Sequence, residues 1–78
     1  MELLEIGIRV DARGLSCPMP IVKTAQAIKP AAPGTYIEVL ATDPGSTKDF
    51  AAWCRSTGND LVDRGSDGAV YRFVIRRK

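Results

Sequence analysis

Between Ile6 and Arg76 the apolar residues keep changing period, and glycine or proline interrupts nearly every run. Ile6, Ile8 and Val10 alternate along Ile6–Asp11, which places them on one face of a strand. Ala12-Arg13-Gly14-Leu15-Ser16 reads as a loop. The spacing then predicts a helix from about Pro18 to Ala27 or Lys29, with Ile21, Val22, Ala25 and Ile28 as its apolar stripe. Pro18 suits the first helical position, Pro20 is tolerated in the first turn, and Pro30 and Pro33-Gly34 end the helix. Thr35–Thr42 predicts a second strand, with Ile37, Val39 and Ala41 on one face and Tyr36, Glu38 and Leu40 on the other. After Asp43-Pro44-Gly45, Ser46 reads as an N-cap and Asp49 as its capping-box partner. The second helix runs to about Thr57, with Phe50, Trp53, Cys54 and Thr57 sharing a face and Gly58 as its C-terminal cap. Leu61-Val62 marks a short third strand, Ser66-Asp67-Gly68 a hairpin turn, and Ala69–Arg76 a fourth strand.

This order, β-α-β-α-β-β, leaves two helices to cover one face of a four-stranded sheet. The fold class expected is α+β: a two-layer α/β sandwich with a four-stranded mixed sheet and both helices on one face. The other face is expected to be open to water or partly shielded by long arginine side chains. With 78 residues, positions 1–78 are expected to form a single domain.

Composition narrows the chemistry. The chain has no histidine, so Cys–His catalysis and histidine-based metal sites are excluded within it. Its two cysteines, Cys17 and Cys54, are too few for a cysteine-only zinc site or a disulfide framework. No cofactor and no metal are expected. A hydrophobic fraction of 45% and a charged fraction of 26% are those of a globular protein, not a disordered one. No apolar run approaches the roughly 18 residues of a membrane span. Met1-Glu2-Leu3-Leu4-Glu5 lacks the basic start and long apolar stretch of a signal peptide, so a cytoplasmic location is expected. A net charge of +2 does not by itself announce a nucleic-acid binder.

The segment that carries chemistry is Gly14-Leu15-Ser16-Cys17-Pro18-Met19-Pro20. It sets Cys17 at or just before a helix N-terminus, where unpaired N–H groups and the helix dipole favour negative charge. A lowered thiol pKa is therefore expected. Pro18 and Pro20 delete two of the leading amides, leaving the N–H groups of Met19 and Ile21, and stiffen the approach to the sulfur. The plainer alternative is a half-buried free cysteine that only caps the helix.

Cys17-Pro18-Met19-Pro20 matches the Cys-Pro-x-Pro motif of the TusA/SirA family of sulfur-carrier proteins, and the resemblance is wider than the motif. Asp11-Ala12-Arg13-Gly14-Leu15, Ala41–Asp49, and Asp67-Gly68 with Tyr71–Lys78 also resemble the family's segments. The resemblance implies the sandwich already derived. It also implies that Cys17 accepts sulfane sulfur as a persulfide and passes it to a partner, with Pro18 and Pro20 shaping the loop. The chain would then be a persulfide sulfurtransferase acting as a protein carrier rather than a stand-alone catalyst. The implied donor is a cysteine desulfurase or a rhodanese-type protein, and the implied acceptor a DsrE-like protein or a biosynthetic enzyme. The pathways of the family include sulfur oxidation, tRNA thiolation and cofactor biosynthesis. Members that thiolate tRNA tend to carry arginine before the cysteine, where this chain has Ser16.

Arg13, Lys23 and Lys48 are candidates for a positive rim around Cys17, or for partner docking, or for plain solvated charge. Asp43 and Asp49 read as turn and capping residues, with polar contact near the Cys17 loop as the alternative. Cys54 reads as a small core residue. Met19, beside the thiol, reads as a partner contact or a lid on the core. Arg72, Arg76, Arg77 and Lys78 coat the open sheet face or dock a partner. Two rival functions stand beside the carrier. One is a regulatory adaptor with a redox-sensitive cysteine. The other is a small RNA-binding module, which the scarcity of aromatics for base stacking and the lack of a Gly-x-x-Gly clamp disfavour.

Overall fold

The computed structural model describes residues 5–78; the reading of Met1–Leu4 lies outside the described residues. The elements are β1 (Ile6–Ala12), α1 (Met19–Ile28), β2 (Tyr36–Ala41), α2 (Ser46–Thr57), β3 (Asp60–Asp67) and β4 (Val70–Arg76). The sheet order is β1-β2-β4-β3, with β1 parallel to β2 and the other pairs antiparallel. This is the mixed four-stranded sheet expected from the sequence.

Register stacks the inward residues in rows across the sheet. Ile8, Ile37, Ile75 and Leu61 form one row, and Val10, Val39 and Phe73 the next. The last row is Ala12, Ala41 and Tyr71. Phe50 and Cys54 of α2 and Ile28 of α1 join the same core cluster, so both helices cover one face. Phe50 stacks on Phe73 at 4.7 Å between ring centres and meets Trp53 edge-on at 6.3 Å.

The opposite face carries an ion-pair lattice. Glu38 binds Arg72 at 2.7 Å and Arg9 at 3.4 Å; Arg72 also approaches Asp63, and Arg76 approaches Asp60, each at 3.8 Å. Val74 lies on that face, level with Glu38 and Asp63 and between Arg72 and Arg76, yet it is only 1% exposed. Apolar stems of long charged side chains are what that face offers to cover it.

The elements differ from expectation in four places. The buried line of α1 is Pro20, Thr24 and Ile28, while Val22 faces water. Thr24 tolerates burial because its hydroxyl donates to the Pro20 carbonyl at 2.9 Å. Second, Pro18 is the N-cap of α1 and Met19 its first residue. Third, Gly45, not Ser46, is the N-cap of α2, and no side-chain capping bond forms. Ser46 instead starts the core-facing line Ser46–Phe50–Cys54 and is 1% exposed. Fourth, β3 is eight residues long rather than a stub. It is an edge strand held by pairing with β4, and of its own side chains Leu61 is the one packed against the core. Its polar run carries no hydrophobic period to read. The hairpin loop is Gly68-Ala69, with Gly68 at φ +62°, as a primed turn requires. Gly58 caps α2 at φ +80° by donating to the Cys54 carbonyl, as expected.

Phe50→Ala should cost about 3–5 kcal/mol, since it empties the stack on Phe73. Arg76→Ala should cost less than about 0.5 kcal/mol, because its ion pair is exposed. Urea unfolding of the two variants checks both, and equal losses would mean that the aromatic stack is not the anchor.

Candidate functional site

Two loops build the site. The β1–α1 loop folds down onto the sheet because its last inward residues, Ala12 and Ala41, are small and fully buried. Leu15 packs against the core there, and its N–H donates to the Ala12 carbonyl at 3.2 Å. Gly14, at φ +81°, donates its N–H to Thr42 Oγ1 at 2.8 Å. That bond ties the loop bearing Cys17 to the loop bearing Asp43. The Cys17–Pro18 peptide is cis.

Cys17 is exposed. The Met19 N–H, expected to serve the sulfur, donates instead to the Ser16 carbonyl at 2.8 Å. The expected low thiol pKa is overturned. Cys17 is held above the ordinary thiol range, first by the neighbouring Asp49 carboxylate, which favours the protonated thiol, then by desolvation and by the charges of Asp49 and Asp43. Asp43 and Asp49 therefore adjoin the thiol, the alternative that their turn-and-cap reading had left open.

The expected positive rim has a different arrangement. Arg13 grips Asp11 through Nε at 2.8 Å and a second nitrogen at 3.0 Å. These hydrogen bonds draw the Asp11 carboxyl down to about 2. Lys23 Nζ donates to the Asp11 carbonyl at 2.6 Å. Both cations hold the end of β1 through Asp11. Lys48 is exposed on the first turn of α2. Pro18 lies exposed beside the thiol, whereas Pro20 is buried beneath the loop. Met19 and Val22 are 47% and 36% exposed.

Cys54 is 2% exposed within the core, and burial pushes its thiol up to about 11. The basic C-terminal residues form no free patch: Arg72 and Arg76 are ion-paired, and Arg77 donates to the Ala31 carbonyl. Among the described residues, no three acidic or cysteine side chains group as a metal site requires. No helix of the described residues is long and apolar enough to cross a membrane.

Fold and site together define a small α+β protein of the SirA-like kind. A SirA-like protein from Desulfitobacterium hafniense superposes with a TM-score of 0.77 over 88% of this chain and 95% of that one, at 22% identity. The chain belongs to the TusA family: the family described as Sulfurtransferase TusA matches residues 8–77. Sulfur carrier protein TusA of Allochromatium vinosum is 40% identical over 68 residues, covering 87% of this chain and 90% of that protein. Sulfur carrier protein TusA of Pseudomonas aeruginosa is 35% identical over 69 residues, covering 88% and 87%. The Bacillus subtilis protein YrkF is 41% identical over 75 residues but is longer, and the chain spans 40% of its length.

Replacing Asp49 by asparagine removes the largest cause of the raised Cys17 pKa. The pH profile of Cys17 alkylation by iodoacetamide should move to lower pH in Asp49→Asn, raising the rate near neutrality by about three- to tenfold. A profile that stays in place would show that Asp49 does not set it.

Proposed function

We propose that this chain is a sulfur carrier that accepts sulfane sulfur on Cys17 as a persulfide and hands it to a partner protein. The observation that carries this reading is the placement of Cys17: an exposed thiol on a tied-down loop, in a chain of the TusA family. The whole region 1–78 acts as one carrier domain. It works as a persulfide sulfurtransferase with partner enzymes rather than alone, in the cytoplasm.

In loading, the Cys17 thiolate attacks the outer sulfur of a donor persulfide. A new sulfur–sulfur bond forms at Sγ and the donor's sulfur–sulfur bond breaks. The electron pair leaves on the donor thiolate, so no outside oxidant or reductant is needed. In unloading, an acceptor thiolate attacks the outer sulfur and Cys17 becomes the leaving thiolate. Neither step needs a histidine or a deep pocket, because the partner completes the site. Cysteine desulfurases and rhodanese-type proteins fit as donors, and DsrE-like proteins or biosynthetic enzymes fit as acceptors. Sulfur oxidation, tRNA thiolation and cofactor biosynthesis are the settings that such a relay serves. Pro18 and Pro20 hold the loop's shape, while Arg13 and Lys23 brace its base through Asp11.

Intact-mass spectrometry without reductant tests the reading. The protein is mixed with a desulfurase and cysteine, or with a rhodanese and thiosulfate. A gain of about 32 Da, one sulfur atom, should form and be removed by dithiothreitol. It should vanish in Cys17→Ser and persist in Cys54→Ser. Absence of loading while a control carrier loads would overturn the reading, as would sulfur on Cys54.

A further inference from the structure

The charged neighbours that weigh on the thiol proposed to carry sulfur are the carboxylates of Asp49 and Asp43. Among the described residues, Asp43 and Asp49 enter no ion pair, whereas Arg13, the nearby cation of the same loop, is taken by Asp11. Lys23 is likewise occupied by the Asp11 carbonyl. The two carboxylates converge on Gly45. A Cβ at position 45 would stand 3.1 Å from Asp43 Oδ2 and 3.6 Å from Asp49 Oδ2, so glycine keeps open the one point that both oxygens reach. Met19 and Val22, just after Cys17, add two of the large apolar side chains that remain exposed.

Such a surface has a definite complement. Exposed apolar side chains ask for an apolar surface, and unpaired carboxylates beside them ask for a positive charge. We propose that Met19 and Val22 together with Asp43 and Asp49 form the docking surface for the sulfur donor. The donor is a protein that places an arginine or lysine side chain over Gly45, between the two carboxylates. The proposal rests on the carrier reading of Cys17 and names the chemistry of its partner.

The docking charge has a second effect. At rest the carboxylates favour the neutral thiol. A cation paired with them offsets that influence and favours the thiolate at the moment the donor sulfur is in reach. The resting thiol is then slow toward small electrophiles, because the thiolate is the reactive form.

The test compares wild type with the double variant Asp43→Asn, Asp49→Asn, loading each from two kinds of donor. One is a protein, the desulfurase with cysteine or the rhodanese with thiosulfate; the other is a small uncharged alkyl persulfide. Loading of Cys17 is timed by intact mass at low and high salt. The small persulfide should load the double variant about three- to tenfold faster than wild type, since more thiolate is present. The protein donor should load it about tenfold or more slower, and the steep salt dependence expected of wild type should flatten. These opposite signs also show that the variant is folded. A protein donor that loads the variant as fast as wild type, with the same salt dependence, overturns the docking proposal and leaves the carrier reading standing. A wild type that takes sulfur from neither donor overturns both.

Discussion

Strand β2 is the constraint on which the rest of the structure depends. It is paired on both sides, parallel to β1 and antiparallel to β4, and its inward residues Ile37, Val39 and Ala41 are fully buried. A one-residue slip would turn all three toward water and bring Glu38 into the core. The taper of this strand also places the site. Along β1 and β2 the inward side chains shrink to Ala12 and Ala41, so this side of the core is thin at the end where both strands stop. The loops that follow both strands close over that thin end, and Gly14 and Thr42 join them. Cys17 and its two neighbouring carboxylates thus come from segments distant in sequence but fixed to the same edge of the core.

The electrostatics of the site follow from a competition that the helix dipole loses. A helix N-terminus favours a thiolate only where its leading amides are free to point at the sulfur. Here Pro18 and Pro20 have no N–H, and the Met19 N–H is bonded to the Ser16 carbonyl. With those three amides absent or committed elsewhere, the charged neighbours Asp49 and Asp43 weigh against the thiolate. Asp11 holds Arg13 and Lys23 at the strand end. A thiol so placed is not built for speed in isolation.

Fold and element order were legible in the sequence because the inward rows are written in period two and the α2 face in helical period. The ends of elements were less legible, for reasons visible at particular residues. Ser46 has the side chain of an N-cap, but a small residue was needed on the core side of α2, and Gly45 took the cap. The stripe assigned to α1 included Val22, because periodicity cannot tell a buried proline and a self-satisfied threonine from surface residues; Pro20 and Thr24 form the true buried line. The length of β3 was hidden because a solvent-facing edge strand needs backbone pairing more than apolar side chains. The position of Cys17 just before α1 was legible from the residue spacing. The role of Asp11 in binding Arg13 and Lys23 was not, because it depends on where the loop lands rather than on any residue pattern.

The two cysteines show how the same side chain is assigned opposite fates by its surroundings. Cys54 sits in the helix line that faces the sheet, where burial disfavours its thiolate and the packed core excludes another protein's sulfur. Cys17 is also disfavoured as a thiolate, but by charges at an exposed surface. Burial is a fixed property of the fold, whereas a surface carboxylate's influence ends when a cation arrives beside it. Of the two raised thiols, only Cys17 can therefore be switched by contact with another protein. That difference follows from placement: Cys17 lies on the loop before α1, while Cys54 lies on the buried line of α2.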